Sequence, residues 1–390
     1  MKPIGSIVLV VAVVSLCTGQ CVLAQTADSR IEVRQGYRLS LAVPSLDRAR
    51  FMALAPDGTL FVSQPHVGEI KACRDRNRDG VYESISTFVS GHRTVHGLLW
   101  HEGWLWFTET GAIFKGRDTD GDGAADEEQT VIPQGRLPRG GGHWWRSILI
   151  HNGRLYTSIG CSGNITDDSS TERMKIWSFD LAGGDKKLFA SGLRNTEKFV
   201  VRPGTDEIWG MDHGSDWFGG EIEGRNNPHG QPITDLNPPD EMNLYVEGGF
   251  YGHPFIVASK LPRYEYMRRP DIVELAAKTI SPAWPTGAHW APNAMVFYAG
   301  AQFPQDCRGD AFVAYHGSWN RSRRSGYCVT RVLFDQGRPY GELVYVSFVL
   351  DSGQVLGRPV DVVVAPDGSL LISDDEGDRV YRLSFVGQSS

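Results

Sequence analysis

The sequence predicts an all-β fold, a six-bladed β-propeller, from three observations. First, a short apolar run, a Gly-containing turn and a second apolar run recur six times. The copies are MALAPDGTLFVSQ from Met52, LLWHEGWLWFTE from Leu98, ILIHNGRLYTSIG from Ile148, VVRPGTDEIWGMDHG from Val200, VFYAGA with GDAFVAYHGS from Val296, and VVVAPDGSLLISDD from Val362. Their spacing is too long for a solenoid rung and suits four-stranded blades with variable outer loops. Second, a polar-apolar alternation follows most copies, as in EIKAC, AIFKGR, KIWSFD, YCVTRVLF and RVYRLSF, and supplies a third strand. Third, YRLSLAV from Tyr37 precedes the first copy with nothing local to pair with, so it is expected to complete the last blade and close the ring. Closure removes the edge strands that would otherwise template aggregation.

Within each copy the Asp-Gly, Glu-Gly or Asn-Gly turn tolerates positive φ, and two short β-rich runs around such a turn read as a hairpin. The 45 glycines, 21 prolines and 11 tryptophans among 390 residues suit many turns and flat packing between blades. Ring architectures of this length form one domain, expected over residues 25–390. The net charge of −7, with no basic stripe, argues against nucleic acid as a partner. Residues 1–24 read as a secretory signal peptide, with Lys2 as the positive end, Ile4 to Leu16 as the apolar stretch and Val22-Leu23-Ala24 before the cleavage point. The expectation is a periplasmic or secreted protein without stable membrane insertion. In an oxidising compartment Cys73, Cys161, Cys307 and Cys328 are available for bridges, and Cys307 with Cys328, flanking one hairpin, is the preferred pair. No Cys-x-x-Cys-His occurs, so no covalent c-type haem is expected. Asn164 and Asn320 match the glycosylation pattern only.

Two loops have calcium-binding spacing. DTDGDGAADEE places Asp118, Asp120, Asp122 and Asp126 at positions one, three, five and nine around Gly123, a turn that folds several oxygens onto one hard cation. DRNRDGVYE from Asp75 repeats the pattern. Position twelve is Gln129 in one and Ser86 in the other, which excludes an ordinary EF-hand and leaves a solvated acidic turn as the other reading. Such loops staple structure. Chemistry is expected where the innermost strands meet the channel, because polar groups of all blades converge there on a rigid scaffold. His96, His143, Arg194, Asn195, Asp212, His213, His289, His316 and Arg358 stand at those strand ends. Trp144, Trp145, Trp217, Trp290 and Trp319 flank them and are candidate walls of a sugar pocket or packing between blades.

The motifs GGGHWWRSILIHNGRLYTSIG, LFASGLRN, PPDEMNLYVEGGFYGHP, FVAYHGSWNRSRRSGY and GRPVDVVVAPDGSLLISDDEGDRVYRL occur in this order. On them the chain resembles the pyrroloquinoline quinone (PQQ)-dependent sugar dehydrogenases, the soluble glucose dehydrogenase and L-sorbosone dehydrogenase group. The resemblance implies a propeller holding PQQ and Ca2+ at the top of its channel. It makes His143 the general base for the substrate hydroxyl, and Arg194 and Asn195 the donors on the quinone oxygens. It gives the backbone carbonyls of Gly214 and Ser215 to the cofactor's calcium, Arg358 and Arg321 to the cofactor's carboxylates, and Asp240 and Glu241 to a structural calcium. His96 and His289 are placed beside the cofactor. The implied reaction is oxidation of an aldose or sugar aldehyde of sorbosone type, with electrons passed to an external acceptor, a cytochrome or a quinone. Departures from the family pattern lie in the loop Asp216 to Asn237, in Thr196-Glu197 after GLRN, and in His253 and His289. Two further classes stay open: a calcium-dependent propeller lactonase, which needs no arginine cluster, and a non-catalytic binding propeller.

Overall fold

Residues 27–220 and 232–387 are described by the computed structural model, and the expected signal peptide lies outside them. Six sheets form the six blades, in the order the repeats predict, and they are antiparallel except where Gly249–Phe250 joins blade 3 in parallel beside Lys187–Ser191. Their innermost strands are Met52–Leu54, Leu98–His101, Leu149–His151, Thr196–Val201, Pro292–Phe297 and Pro359–Val364. Each touches the next, and the last touches the first, so the ring is closed.

The turns follow their sequences. Glu102-Gly103 and Asn152-Gly153 have positive φ at both central residues, the type I′ geometry whose twist matches a two-residue hairpin. The Pro-Asp-Gly turns of blades 1 and 6 are built alike: Asp57 accepts the N–H of Thr59 at 2.9 Å and Asp367 that of Ser369 at 3.0 Å. The N-terminal strand Tyr37–Val43 pairs antiparallel with Arg379–Phe385 and supplies the outer strand of blade 6. Closure thus joins the two ends of the chain, and the sheet gains what its own repeat lacks. Between blades the contacts are apolar and aromatic. Trp209 of blade 4, for example, meets Phe297 and Phe334 of blade 5 edge-on at 5.9 and 5.4 Å.

The bridge expected between Cys307 and Cys328 is corrected. All four described cysteines are free and buried. Cys307 packs with Val329 and Phe348 on one face of blade 5, whereas Cys328 packs with Val332 and Trp209 on the other. The sheet stands between the two thiols, because a strand sends successive side chains to opposite faces.

Blade 4 carries a large insertion between its third strand, Pro239–Tyr245, and its fourth, Trp284–Ala288. It contains a short hairpin, Ile256–Val257 with Leu261–Pro262, and the helix Ile272–Lys278, around its own small core of Phe255, Ile256, Ile272 and Leu275. Tyr266 of this insertion donates to the Ile165 carbonyl at 2.7 Å, and Arg263 donates to Ser215 Oγ and the Trp217 carbonyl, both at 2.5 Å. The insertion therefore braces two loops of the channel mouth. No helix among the described residues is long and apolar enough to cross a membrane.

Candidate functional site

In an antiparallel blade the start of the first strand and the end of the second lie on the same face of the ring. Residues just before the first strands and just after the second strands therefore gather at one mouth. There, a cavity of ≈ 130 Å³ is lined by His143 of blade 3, Arg194, His213, Gly214, Asp216 and Asp240 of blade 4, and His289, Ala291, Gly317, Trp319 and Asn320 at blade 5. Trp319 is 60% exposed, so the cavity opens past its ring.

His143 is held at Nδ1 by Cys161, whose sulfur lies at 3.0 Å and whose carbonyl lies at 3.3 Å. Burial, then the Arg194 charge, holds its pKa well below the usual imidazole value, so the ring is neutral. Nε2 makes no bond to the protein among the described residues. A neutral imidazole with a free nitrogen on a cavity wall is able to take a proton.

Arg194 is buried and gripped from two loops. Nε donates to the Asn164 carbonyl at 3.0 Å, and Nη2 donates to Asn164 Oδ1 and Asp216 Oδ1, both at 2.8 Å. Its Nη1 is left for the cavity. His213 accepts from Asn195 Nδ2 at 3.1 Å and donates from Nε2 to the Pro292 carbonyl at 3.1 Å. His289, at φ +61°, has Nε2 at 2.6 and 3.0 Å from the Thr234 and Asn237 carbonyls, and its Nδ1 accepts from Asn320 at 3.2 Å. Asp240 ties the wall together, accepting the N–H of Gly214 at 2.6 Å and that of Ala291 at 2.8 Å. A Cβ on Gly214 would stand 2.6 Å from the Pro239 carbonyl, so this close approach of chains requires glycine.

Several groups foreseen at the site are placed elsewhere. Asn195 lines no part of the cavity, because its Nδ2 is committed to Glu197 at 3.1 Å and to His213. His96 is fully buried, stacked 4.3 Å from Trp145 and 3.5 Å from Glu197. Arg321 donates to the Ala288 carbonyl at 3.3 Å, and Arg358 to the His316 carbonyl at 3.2 Å over the Tyr327 ring, so neither lines the cavity. Ser215 is buried behind Gly214 and engaged by Arg263. Glu241 follows Asp240 on one strand and so points to the other face, where it meets Asn243 and the N–H of Ala258. These two carboxylates cannot share one ion through a common face. Asp118, Asp120 and Asp126 converge within 4.8 Å on the outer loop of blade 2, with Arg74 at 3.0 Å from Asp118. Asp122 instead accepts the N–H of Ala124 at 2.7 Å and lies outside that trio.

Sequence reasoning did not assign Asn164, Asp216 and Asn320 to the site. The two asparagines stood out only as glycosylation patterns, and Asn320 is 2% exposed. The usable signal was position, since Asn320 follows the second strand of blade 5 as His213 to Asp216 follow that of blade 4.

The polar atoms at the mouth are incompletely satisfied. Asn164 Nδ2, Asn320 Oδ1 and Trp290 Nε1 are buried without a partner. A buried polar group left unpaired costs about 1–3 kcal/mol; of the three, Asn320 lines the cavity and Asn164 grips Arg194 on its wall, so these two favour a ligand there, whereas Trp290 lies outside the lining. Donors from Arg194 and Asn164 suit a planar group rich in carbonyl and carboxylate oxygens. The acceptors Asn320 Oδ1 and Asp240 suit a hard cation beside it.

A sequence profile of the TrAA12-like family matches residues 31–261, and that of the Glucose / Sorbosone dehydrogenase family matches residues 151–382. A curated relative, an uncharacterized protein of Borreliella burgdorferi, is 30% identical over 239 residues, 60% of this chain and 58% of that protein. The match thus spans little more than half of that relative's length. A calcium structure of the Trichoderma reesei Carbohydrate-Active Enzymes Family AA12 protein superposes with a TM-score of 0.77 at 18% identity, over 94% of this chain and 98% of the other. The holo form of the pyranose dehydrogenase PQQ domain from Coprinopsis cinerea gives 0.77 at 18%, over 93% and 99%. Likeness at such identity carries the fold, whereas the two profiles each cover more than half of the chain. The chain belongs to the glucose/sorbosone dehydrogenase family, and its ring is the propeller of the PQQ-dependent sugar dehydrogenases.

Proposed function

We propose that this protein is a periplasmic or secreted PQQ- and calcium-dependent dehydrogenase that oxidises an aldose or sugar aldehyde of sorbosone type and passes the electrons to an external cytochrome or quinone. The observation that carries the reading is His143, neutral and with a free Nε2, on the wall of a cavity that also presents the unspent Nη1 of Arg194. When bound, PQQ supplies the two-electron acceptor for hydride, and a calcium ion beside it the positive charge that polarises its carbonyl.

The residues of this chain do the rest. His143 Nε2 takes the proton of the substrate hydroxyl as the carbon–hydrogen bond breaks. Arg194, fixed by Asn164 and Asp216, presents a guanidinium that needs no reorganisation to meet negative charge. Asn164 Nδ2 would hold a carboxylate or carbonyl oxygen of the cofactor, and Asp240, Asn320 and the Gly214 carbonyl would hold the calcium. Trp319, exposed at the opening, offers a face on which a pyranose stacks while its ring displaces water. A second calcium on Asp118, Asp120 and Asp126 would brace the rim of blade 2.

The test is to load the purified protein with PQQ and calcium and follow reduction of a dye with a panel of aldoses, sugar aldehydes and simple alcohols. Sugar-dependent reduction is expected. Bound quinone with no reduction by any member of the panel overturns the dehydrogenase reading.

A further inference from the structure

We propose that Cys161 is the positioning residue that fixes the tautomer of His143, keeping the ring proton on Nδ1 so that Nε2 meets the substrate as a bare lone pair. The inference rests on the reading of His143 as the base.

The bonding around the sulfur leaves one consistent assignment. The thiol hydrogen goes to the Gly163 carbonyl, 2.6 Å from Sγ. The Cys161 carbonyl, 3.3 Å from Nδ1, is able only to accept, and the sulfur at 3.0 Å has already spent its proton. Nδ1 must therefore be the donor to both. Cys161 is itself immobile: it is fully buried, and its N–H donates to the Arg194 carbonyl at 3.0 Å. One residue thus links the base to the backbone of Arg194, whose guanidinium lines the same cavity. Gly160 permits the approach, since a Cβ there would stand 2.6 Å from His143 Cβ and 2.8 Å from the Arg194 carbonyl. Among the described residues, none of the other three cysteines bonds to a histidine.

A thiol differs from the carboxylate that often orients a histidine. Burial pushes the Cys161 thiol up to about 12, so it stays neutral and orients the ring without adding negative charge. The charged and titratable groups facing the imidazole are Arg194, His213, His253 and Glu197, and Cys161 adds none to them. The result is a weak base that remains unprotonated in mildly acidic solution. A carboxylate at this position would trade that range for greater basicity.

The experiment uses the whole protein with 15N-labelled histidine, His143→Gln serving for assignment. In the wild type the ring nitrogens of His143 are expected to report the Nδ1–H form, with the same form in Cys161→Ser and a mixture in Cys161→Ala. In protein loaded with PQQ and calcium, Cys161→Ala is expected to lower kcat about 10–100-fold, the range for loss of a partner that orients a histidine, while cofactor affinity holds. Cys161→Ser restores most of the rate. Cys161→Asp moves the acid limb of the kcat/KM profile to higher pH. An Nε2–H form in the wild type, or an alanine variant with unchanged tautomer and unchanged kcat, overturns the proposal. If the loaded wild type oxidises no sugar, the dehydrogenase reading fails by itself, and the nitrogen spectra still decide the role of Cys161.

Discussion

Two polar clusters sit at the mouth of this propeller, and they differ in what their polar groups face. On the axis, Arg50 of blade 1 reaches across the ring to Glu197 of blade 4 at 3.1 Å and to Asp375 of blade 6 at 2.7 Å. Asp375 also meets His316 at 2.9 Å, and Lys198 meets Asp361 at 2.5 Å. Burial works to raise the pKa of Glu197, but the His96 hydrogen bond and the Arg50 charge outweigh it and hold the carboxylate well below its usual range. Asp375 is held low in the same way by His316 and Arg50. Off the axis, between blades 3 and 5, the cavity cluster keeps Arg194 Nη1, Asn164 Nδ2 and Asn320 Oδ1 unspent. Both clusters stand on the same kind of strand ends, so the scaffold does not distinguish them. Open space does: the axial groups pair with one another across the ring, although Arg50 Nε and His96 Nε2 have no hydrogen-bond partner among the described residues, whereas the off-axis groups border a cavity able to take a ligand. Asn195 joins them, donating to Glu197 on one side and His213 on the other.

Four changes separate the two roles. The largest effect is expected from His143→Ala, which removes the base and should lower kcat by about 10²–10⁴. Thermal unfolding of the apo-protein should barely move, and a variant of undiminished rate removes His143 from the reaction. Next, Arg50→Met strips the counter-charge from Glu197 and Asp375. Breaking a buried pair from one side costs about 3–5 kcal/mol, to be read by urea unfolding. Cofactor affinity of the folded fraction should hold, and an affinity loss as large as that of a cavity variant would merge the two clusters into one. Third, Arg194→Lys keeps a charge but loses the fork that meets planar oxygens, so cofactor affinity should fall about 10-fold while the unfolding midpoint changes little.

The smallest expected effect is on pH. Burial, the leading cause in each, holds His96, His143 and His253 below their usual value in the folded chain. The unfolded chain binds these protons near pH 6.5, so between that value and the lower folded pKa it carries more protons than the native state. Stability therefore rises with pH there and is lost as pH falls below about 6.5. Burial raises Glu241 to about 8 and acts in the opposite sense over this range, so the sign is read by difference: the wild type should lose more stability than His143→Gln on going from pH 7.5 to 5.5, and an equal or smaller loss would contradict it.

The blades were legible because each hairpin is a local event. Asn-Gly and Asp-Gly turns declare themselves, and the lone strand from Tyr37 had only the last blade left to complete. His143 and Arg194 were legible as polar residues opening strongly apolar strands. What stayed hidden depends on direction and on distance in the chain. The parity that sends Asp240 into the cavity and Glu241 away from it, or Cys307 and Cys328 to opposite faces, follows from strand register and not from spacing. Arg50 and Glu197 meet across the ring from blades far apart in the chain, and no local pattern pairs them. Asn164 and Asp216 act by gripping Arg194 from two loops, and those loops are braced by Tyr266 and Arg263 in an insertion that carries no motif.

The central claim is that the cavity cluster, and not the axial one, receives an anionic quinone. Equilibrium titration of PQQ with calcium into the apo-protein, followed by quenching of tryptophan fluorescence, tests it most directly. The account predicts one quinone bound per chain, weakened by Arg194→Lys and untouched by Arg50→Met in folded protein. No saturable binding, or binding indifferent to Arg194, would contradict it.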